Sequence, residues 1–179
     1  MPLAPGELLE RQRRIRLLVL DIDGVLTDGS LFLGDAGDKN KDFNSRDGHG
    51  IRMAQDGGLE VAVLTGRSSE VVNHRMRDLG VRQIVQGRRD KGLAIEELLA
   101  RSGFTPLESA FVGDDVVDLP AMRRVALGIA VADAHPLVLE HADWRTRAAG
   151  GRGAVREICE ELLGAQQRLE GILGVYLES

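Results

Sequence analysis

Four short apolar runs, Leu17–Leu20, Val61–Leu64, Ser109–Val112 and Leu127–Val131, recur along the chain and are rich in Val, Leu and Ile. Runs of this length without polar alternation predict strands buried on both faces. Between them, apolar positions recur at helical spacing over Ile51–Gln55, Glu70–Leu79 and Lys91–Ser102. These stretches end at Gly57-Gly58, Gly80 and Gly103, where a helix C-terminus favours a positive φ. Leu119–Arg124 predicts a shorter helix with Pro120 in its first turn, where a missing N–H costs nothing. Val155, Ile158, Leu162, Leu169 and Leu173 predict one last helix from about Ala154 to Leu173. The alternation implies an α/β fold, a parallel sheet flanked by helices. One stretch interrupts it. Ser30–Leu33, a turn over Gly34–Asp38, and Lys39–Asn44 predict a small β-hairpin inserted after the first strand, over about 30–44.

Composition narrows the function classes. The chain has 179 residues, 43% apolar and 28% charged, which suits a single globular domain over 1–179. Its 23 basic and 28 acidic residues leave a net charge of −5, so the whole molecule is not drawn to a phosphate backbone or an anionic membrane. Aromatics at 3% are too few for base-stacking platforms. A single cysteine, Cys159, excludes a disulfide framework and a cysteine-rich zinc site; its place in the last helix predicts a buried, inert thiol. No apolar run approaches the ~20 residues of a membrane-spanning helix. Arg11, Arg13 and Arg14 ahead of Leu17–Leu20 have the order of a secretory signal, but the run is too short and meets Asp21 at once. The expectation is a cytoplasmic protein with no nucleic-acid or membrane partner.

The candidate chemistry gathers where the strands stop, the edge at which open parallel sheets bind ligands. Leu17–Leu20 runs into Asp21-Ile22-Asp23-Gly24. Alternate residues of a continuing strand face opposite ways, but a turn at Gly24 lets both carboxylates converge. By itself this is equally an acidic turn or cap. Val61–Leu64 runs into Thr65-Gly66-Arg67, a hydroxyl and a helix start that form an anion site or merely a cap. Phe111-Val112 runs into Gly113-Asp114-Asp115 and then Asp118. Carboxylates this dense repel one another unless a cation neutralises them. An all-oxygen set suits Mg²⁺ or Ca²⁺ rather than Zn²⁺. The alternative is a solvated loop in which Asp118 caps the next helix. Lys91, at a helix start, carries no meaning alone.

Taken in order, Asp-x-Asp, Thr, Lys and Asp-Asp-x-x-Asp resemble the four motifs of the haloacid-dehalogenase-like hydrolases, most of them Mg²⁺-dependent phosphatases. The resemblance implies a Rossmann-like sheet and a mechanism. Asp21 is the implied nucleophile, forming an aspartyl-phosphate, and Asp23 the implied acid and base. Asp21, the Asp23 main-chain carbonyl and Asp114 are the implied Mg²⁺ ligands. Thr65 and Lys91 are implied to hold phosphoryl oxygens. Gly66, Asp115 and Asp118 are implied to support the loops and the metal's waters. The intervals Asp23–Thr65 and Thr65–Lys91 are too short for the separate cap domain that many members carry. The chain is therefore expected to be capless. Its site then either admits a large phosphorylated partner or is closed by identical subunits.

Finer resemblance favours closure by subunits. Asp21–Gly29, Phe43–Gly48, Gly50-Ile51-Arg52, Thr65-Gly66-Arg67, Arg75, Gly113-Asp114-Asp115, Val131–Pro136 and Gly150–Glu157 are similar to the 3-deoxy-D-manno-octulosonate 8-phosphate (KDO 8-phosphate) phosphatases of lipopolysaccharide precursor synthesis. That family is capless and homotetrameric, each site completed by a neighbour. Its substrate, a sugar acid phosphate, gives a purpose to Arg46, Arg52, Arg67 and Arg75 as partners of the carboxylate and sugar end, Arg being suited to bidentate pairing. Arg75, among Asn73, His74, Arg77 and Asp78, reads equally as part of a solvated helix face. Asn44, Ser45, Arg46, Asp47 and Gly48 are implied to contact hydroxyls and phosphate; Asp23 and Lys91 complete the substrate set.

The chain departs from the family at Asp38-Lys39-Asn40-Lys41, where two adjacent glutamates usually precede the lysine, at Ser45, usually aliphatic, and at Arg88-Arg89. A sister group acting on a nine-carbon sugar acid phosphate tends to be acidic at the position of Arg67, so Arg67 points to the eight-carbon substrate. A non-catalytic relative would lack Asp21 or Asp23. A phosphoprotein phosphatase with an open site would be monomeric. His135-Pro136 reads as a turn or a helix start, His49 as secondary, and the Gly150–Gly153 run as a phosphate loop or, with Thr65 and Lys91 already available, a flexible connection. Tyr176 and Leu177 raise the prospect of a tail docked on a neighbouring subunit.

Overall fold

The computed structural model describes residues 3–34 and 37–178. In chain order the elements are α1 (Pro5–Arg14), β1 (Leu17–Leu20), β2 (Phe32–Gly34), β3 (Gly37–Asn40), α2 (Ser45–Asp56), β4 (Glu60–Leu64), α3 (Glu70–Asp78) and β5 (Gln83–Val85). They continue with α4 (Lys91–Ser102), β6 (Ser109–Gly113), α5 (Leu119–Met122), β7 (Leu127–Ala130), α6 (Pro136–His141), β8 (Trp144–Arg145), α7 (Ala154–Ala165) and α8 (Leu169–Gly174).

Six strands pair in the order β5-β4-β1-β6-β7-β8, every pairing parallel. All four β1 residues are fully buried, as the unbroken apolar run requires. From β1 the chain winds outward through β4 to β5, then returns to β6 and winds the opposite way. Right-handed crossovers put the helices of the two halves on opposite faces of the sheet. The reversal opens a crevice between the carboxyl ends of β1 and β6, where the acidic turns lie. β2 and β3 form a separate antiparallel ribbon, Phe32 opposite Asn40 and Gly34 opposite Gly37. The centre of the predicted turn, residues 35–36, lies outside the described residues.

The four predicted sheet strands and the glycine stops agree with the structure, with positive φ at Gly58, Gly80 and Gly103. The hairpin is shorter and shifted: its strands are Phe32–Gly34 and Gly37–Asn40 rather than Ser30–Leu33 and Lys39–Asn44, because pairing runs on into the predicted turn. Four further features differ. Polar α1 was not foreseen: its apolar stripe is thin, and it is held instead by contacts with α7 and by the Gln166 amide donating to the carbonyls of Gln12 and Ile15. α2 begins six residues before its apolar stripe, because the Asn44 side chain caps it by accepting from the Arg46 N–H at 2.8 Å. β8 is only two residues long, too short for a periodic signal.

The single last helix is in fact two. The Arg168 N–H reaches the Leu163 carbonyl at 2.9 Å and the Gln167 N–H reaches Gly164 at 2.9 Å, closing α7 with a left-handed turn at Gln167 (φ 59°). This C-terminal turn usually carries glycine, so a glutamine there gave no sign of the break.

Asp47 joins the helices on one side of the sheet. Its carboxylate is fully buried and accepts from the N–H groups of Gly153 (3.1 Å) and Arg156 (2.8 Å), capping α7 from within α2. Burial pushes its carboxyl up and the backbone donors pull it down; the shift is upward overall. Asp47→Ala is expected to lower stability by about 2 kcal/mol, through loss of the cap and of buried hydrogen bonds. Denaturant melts check the stability loss; an unchanged midpoint would deny the capping role.

Candidate active site

The turn after β1 is built so that Asp21 ends a buried strand and Asp23 leaves it. The Asp21 N–H still donates to Val112 of β6 (3.1 Å), while the N–H groups of Val25, Leu26 and Thr27 fold back onto the Ile22 carbonyl. Gly24 makes this possible. It has φ 89°, and a Cβ there would lie 2.0 Å from Asp114 Oδ2, so the Asp114 carboxylate rests directly on the turn backbone. The Gly150–Gly153 run is no slack linker: a Cβ on Gly150 would lie 1.7 Å from the Gly24 carbonyl oxygen. The Gly151 N–H donates to Val25 (2.8 Å) and Gly150 N–H to Asp133 (2.9 Å), bracing the acidic turn from outside.

Lys91 Nζ enters from the first turn of α4, its side chain 3% exposed. It lies 2.9 Å from Asp21 Oδ2 and also pairs with Asp118 Oδ1. The other Asp118 oxygen accepts from the N–H groups of Asp114 (3.0 Å) and Asp115 (3.2 Å). Asp118, fully buried, thus anchors both the lysine and the loop after β6. Asp115 caps the turn that follows, accepting from the Val116 N–H at 2.7 Å. Thr65, 3% exposed, sits at the end of β4 with its N–H bonded to Val85 (2.9 Å). Gly66 follows under the Arg88 carbonyl.

Asp21, Asp114 and Asp118 present carboxylate oxygens within 4.8 Å of one another. Burial, and then repulsion from Asp118, push the Asp21 carboxyl up to about 6 despite Lys91. Burial, followed by the charges of Asp118 and Asp21, raises Asp114 to about 7. For Lys91, burial works against the charge, but Asp21 and Asp118 outweigh it and the ammonium is held. One cation therefore serves a surplus of carboxylates. Asp21 Oδ1 is buried with no hydrogen-bond partner, beside Asp114. With Asp118 occupied, the orphan oxygen and the Asp114 carboxylate form a hard, oxygen-only pair that suits a divalent cation.

The linkage has a testable sign. Both carboxyls are raised above their unfolded values, so the folded protein binds more protons than the unfolded chain. The stability they contribute is present below pH 4 and is lost as pH rises towards 7. Mg²⁺ is expected to raise the thermal midpoint by more at pH 8 than at pH 5.5, and calorimetry at the two pH values checks the difference.

The predicted substrate residues divide. Asp23 is one-fifth exposed; Lys41 donates to its Oδ1, and Arg67 Nε lies 3.9 Å from its Oδ2. Among the described residues, no ion pair joins Arg46, Arg52 or Arg75 to Asp21, Asp23 or Asp114. Arg52 donates to the Asp78 carbonyl at the far end of α3. Arg75 is half-buried against Gly48 of α2, its Nε without a hydrogen-bond partner, and it lines a surface depression with His74, Arg77 and Asp78. Asn44 and Asp47 are spent on helix caps, and Gly48 lies buried beneath Arg75. Ser45 and Arg46 instead line a separate polar cavity of about 220 Å³ with Asp28, Asp42, Asn44, Gly151 and Arg152. Lys41 was missed as a site residue, since pairing across 18 positions leaves no local signal. His135 caps α6, its Nδ1 accepting from the Leu137 N–H at 3.1 Å.

A family model described as haloacid dehalogenase-like hydrolase matches residues 80–158. The KDO 8-phosphate phosphatase of Escherichia coli K12 is 47% identical over 169 residues, 94% of this chain and 90% of that protein. The crystal structure of the same enzyme from Yersinia pestis superposes with a TM-score of 0.89 at 46% identity, covering 92% of this chain and 89% of that one. That from Moraxella catarrhalis, in complex with magnesium, phosphate and KDO, superposes with a TM-score of 0.93 at 34% identity, over 97% and 99% of the two chains. With this identity spread over nearly its whole length, the chain belongs to the 3-deoxy-D-manno-octulosonate 8-phosphate phosphatase family of haloacid-dehalogenase-like hydrolases.

Proposed function

We propose that this protein hydrolyses KDO 8-phosphate to KDO and phosphate, with Mg²⁺, as a step towards lipopolysaccharide precursors in the cytoplasm. The observation that carries the reading is the meeting of Asp21, Asp114, Asp118 and Lys91 in the crevice between β1 and β6. A phosphomonoester is inert, and its transition state needs an aligned nucleophile and neutralised oxygens. Asp21 attacks phosphorus through its carboxylate as the ester P–O bond breaks. Asp23 gives the leaving alkoxide its proton, then takes one from the water that cleaves the aspartyl-phosphate. Lys91 and Thr65 hold phosphoryl oxygens as their charge grows. Asp118 keeps Lys91 and the loop after β6 in place, with Asp115 and Gly66 supporting the two loops. Asp21, Asp114 and the Asp23 main-chain carbonyl would hold the Mg²⁺. Once bound, the ion supplies Lewis-acid neutralisation of carboxylate and phosphoryl charge.

Arg67, beside Asp23, receives the sugar acid, and homotetramer formation brings the remaining contacts. Ser45 and Arg46, turned into their own cavity, and Arg52 and Arg75 then serve the sugar end only through a neighbouring subunit or a local rearrangement. The exposed Leu31 and Phe32 at the start of the hairpin suit burial in a subunit contact. A capless single domain over 1–179 fits this assembly.

Phosphate release from KDO 8-phosphate and from its nine-carbon counterpart, measured with Mg²⁺ and with EDTA, tests the reading. Metal-dependent turnover strongly favouring the eight-carbon ester is expected. Preference for the nine-carbon ester would overturn the Arg67 argument, and turnover of a generic aryl phosphate alone would remove the substrate. Light scattering that found a monomer would remove the tetramer.

A further inference from the structure

The Asp23 carboxylate is only one-fifth exposed, and among the described residues its hydrogen bond comes from a side chain. Its partner comes from the far end of the inserted ribbon. Lys41, one residue after β3, has a side chain 2% exposed, and its Nζ donates to Asp23 Oδ1. Arg67 lies on the other oxygen, at 3.9 Å. The two cations differ in kind: the Arg67 side chain is half exposed at the mouth, whereas the Lys41 side chain is enclosed. An enclosed ammonium has given up most of its hydration, so it stays on the oxygen it binds and in turn fixes that carboxyl group's orientation.

We infer that Lys41 is a positioning residue for proton transfer: it binds one oxygen of Asp23 and so aims the other at the leaving oxygen of the ester. The inference rests on Asp23 being the acid and base of the proposed reaction. In the first half-reaction the Asp21–phosphorus bond forms, the ester P–O bond breaks, and the Asp23 proton goes to the departing alcohol. In the second, water attacks phosphorus, its proton returns to Asp23, and phosphate leaves with Asp21 restored. An Asp23 side chain free to rotate would stand away from the leaving oxygen for much of the time. The residue that follows the ribbon then holds a catalytic carboxylate, so the placement of β2–β3 bears on turnover.

The leaving group separates this role from a structural one. An alkoxide needs the proton as the bond breaks, whereas p-nitrophenolate leaves with little help. For Lys41→Met, kcat/KM on KDO 8-phosphate, which reports the alcohol-releasing step, is expected to fall about 10- to 100-fold through kcat rather than KM, less than the ~10²–10⁴ of a whole general acid because Asp23 itself remains. The loss on p-nitrophenyl phosphate is expected to be at least about tenfold smaller, since that step draws little on the acid. Lys41→Arg should recover part of the sugar-phosphate turnover, and Lys41→Gln guards against a folding defect in the first variant; circular dichroism melts accompany each. Equal losses on both esters in folded variants would overturn the inference and leave Lys41 as an anchor of the ribbon. A change confined to KM would overturn it too, making Lys41 a substrate contact. If the wild-type protein cleaved neither ester, the proposed function itself would fail, and that result is distinct from either.

Discussion

Asp21→Asn is expected to abolish phosphate release, by about 10⁴-fold or more, as for the loss of a nucleophile in a concerted site. The amide is isosteric, so the turn at Gly24 and the packing of Asp114 against it are kept. What disappears is the carboxylate proposed to attack, for which no neighbour substitutes: Asp114 and Asp118 lie beyond β6, and Asp118 is spent on Lys91 and two backbone N–H groups. Stability is expected to move the other way. The Asp21 carboxyl is pushed up to about 6 because burial and Asp118 oppose its charge. Removing that charge relieves a repulsion that is present at pH 8 and mostly absent at pH 5. The variant should therefore melt above the metal-free wild type at pH 8, and the gap should close as pH falls. Phosphate release and melts at both pH values check the two halves. Residual turnover near wild type would remove Asp21 as nucleophile, and a variant melting below wild type at pH 8 would contradict the electrostatic reading of the cluster.

Lys91→Met is expected to be damaging in a different way, costing both activity and fold. The ammonium is the shared counter-charge of Asp21 and Asp118 within a buried cluster. Replacing it with an apolar side chain of similar length preserves volume but strands two carboxylates. Breaking one side of such a buried pair typically costs about 3 kcal/mol or more. The loss should be largest near pH 8 and shrink below about pH 6, where Asp21 takes up a proton and the surplus negative charge falls. Urea midpoints at the two pH values give the comparison, and Mg²⁺ should recover part of the stability at the higher pH. Phosphate release should be lost even where the variant is folded, because no other ammonium stands beside Asp21 among the described residues. A midpoint that did not depend on pH would mean that Lys91 does not carry the charge balance.

The order of the motifs was readable along the chain because each lies at a strand end, and strand ends are marked by a short apolar run giving way to polar residues. Leu17–Leu20 into Asp21, Val61–Leu64 into Thr65 and Phe111-Val112 into Asp114 needed only periodicity and the rule that open sheets work at their carboxyl edge. Asp118 was legible as support, though not how it supports: one oxygen for a lysine 27 positions earlier, the other for two N–H groups of its own loop. Such a division is a matter of angles, to which composition is blind.

Asp47 illustrates the opposite case. It sits inside a stretch similar to a substrate-contacting segment, and an acid between arginine and glycine carries no sign that it will be buried. Only the packing of α2 against α7 places its carboxylate under the first N–H groups of a helix more than 100 residues away. Lys41 and Gly150 belong with it. A lysine after a ribbon reads as solvated until the ribbon folds over Asp23, and a glycine run reads as slack until a Cβ is seen to collide with the Gly24 carbonyl.

By itself the sequence determined the alternation of strands and helices, the sheet edge at which the acids gather, the absence of room for a cap, and the family. All of these follow from near-neighbour periodicity or from residue identity at set spacings, which the chain carries locally. The tertiary structure alone decided which acids share the lysine, which arginine reaches Asp23, and which of the resembling residues are spent on caps and braces. Those outcomes depend on long-range packing, where a shift of one or two ångströms turns a charge from a ligand into a support.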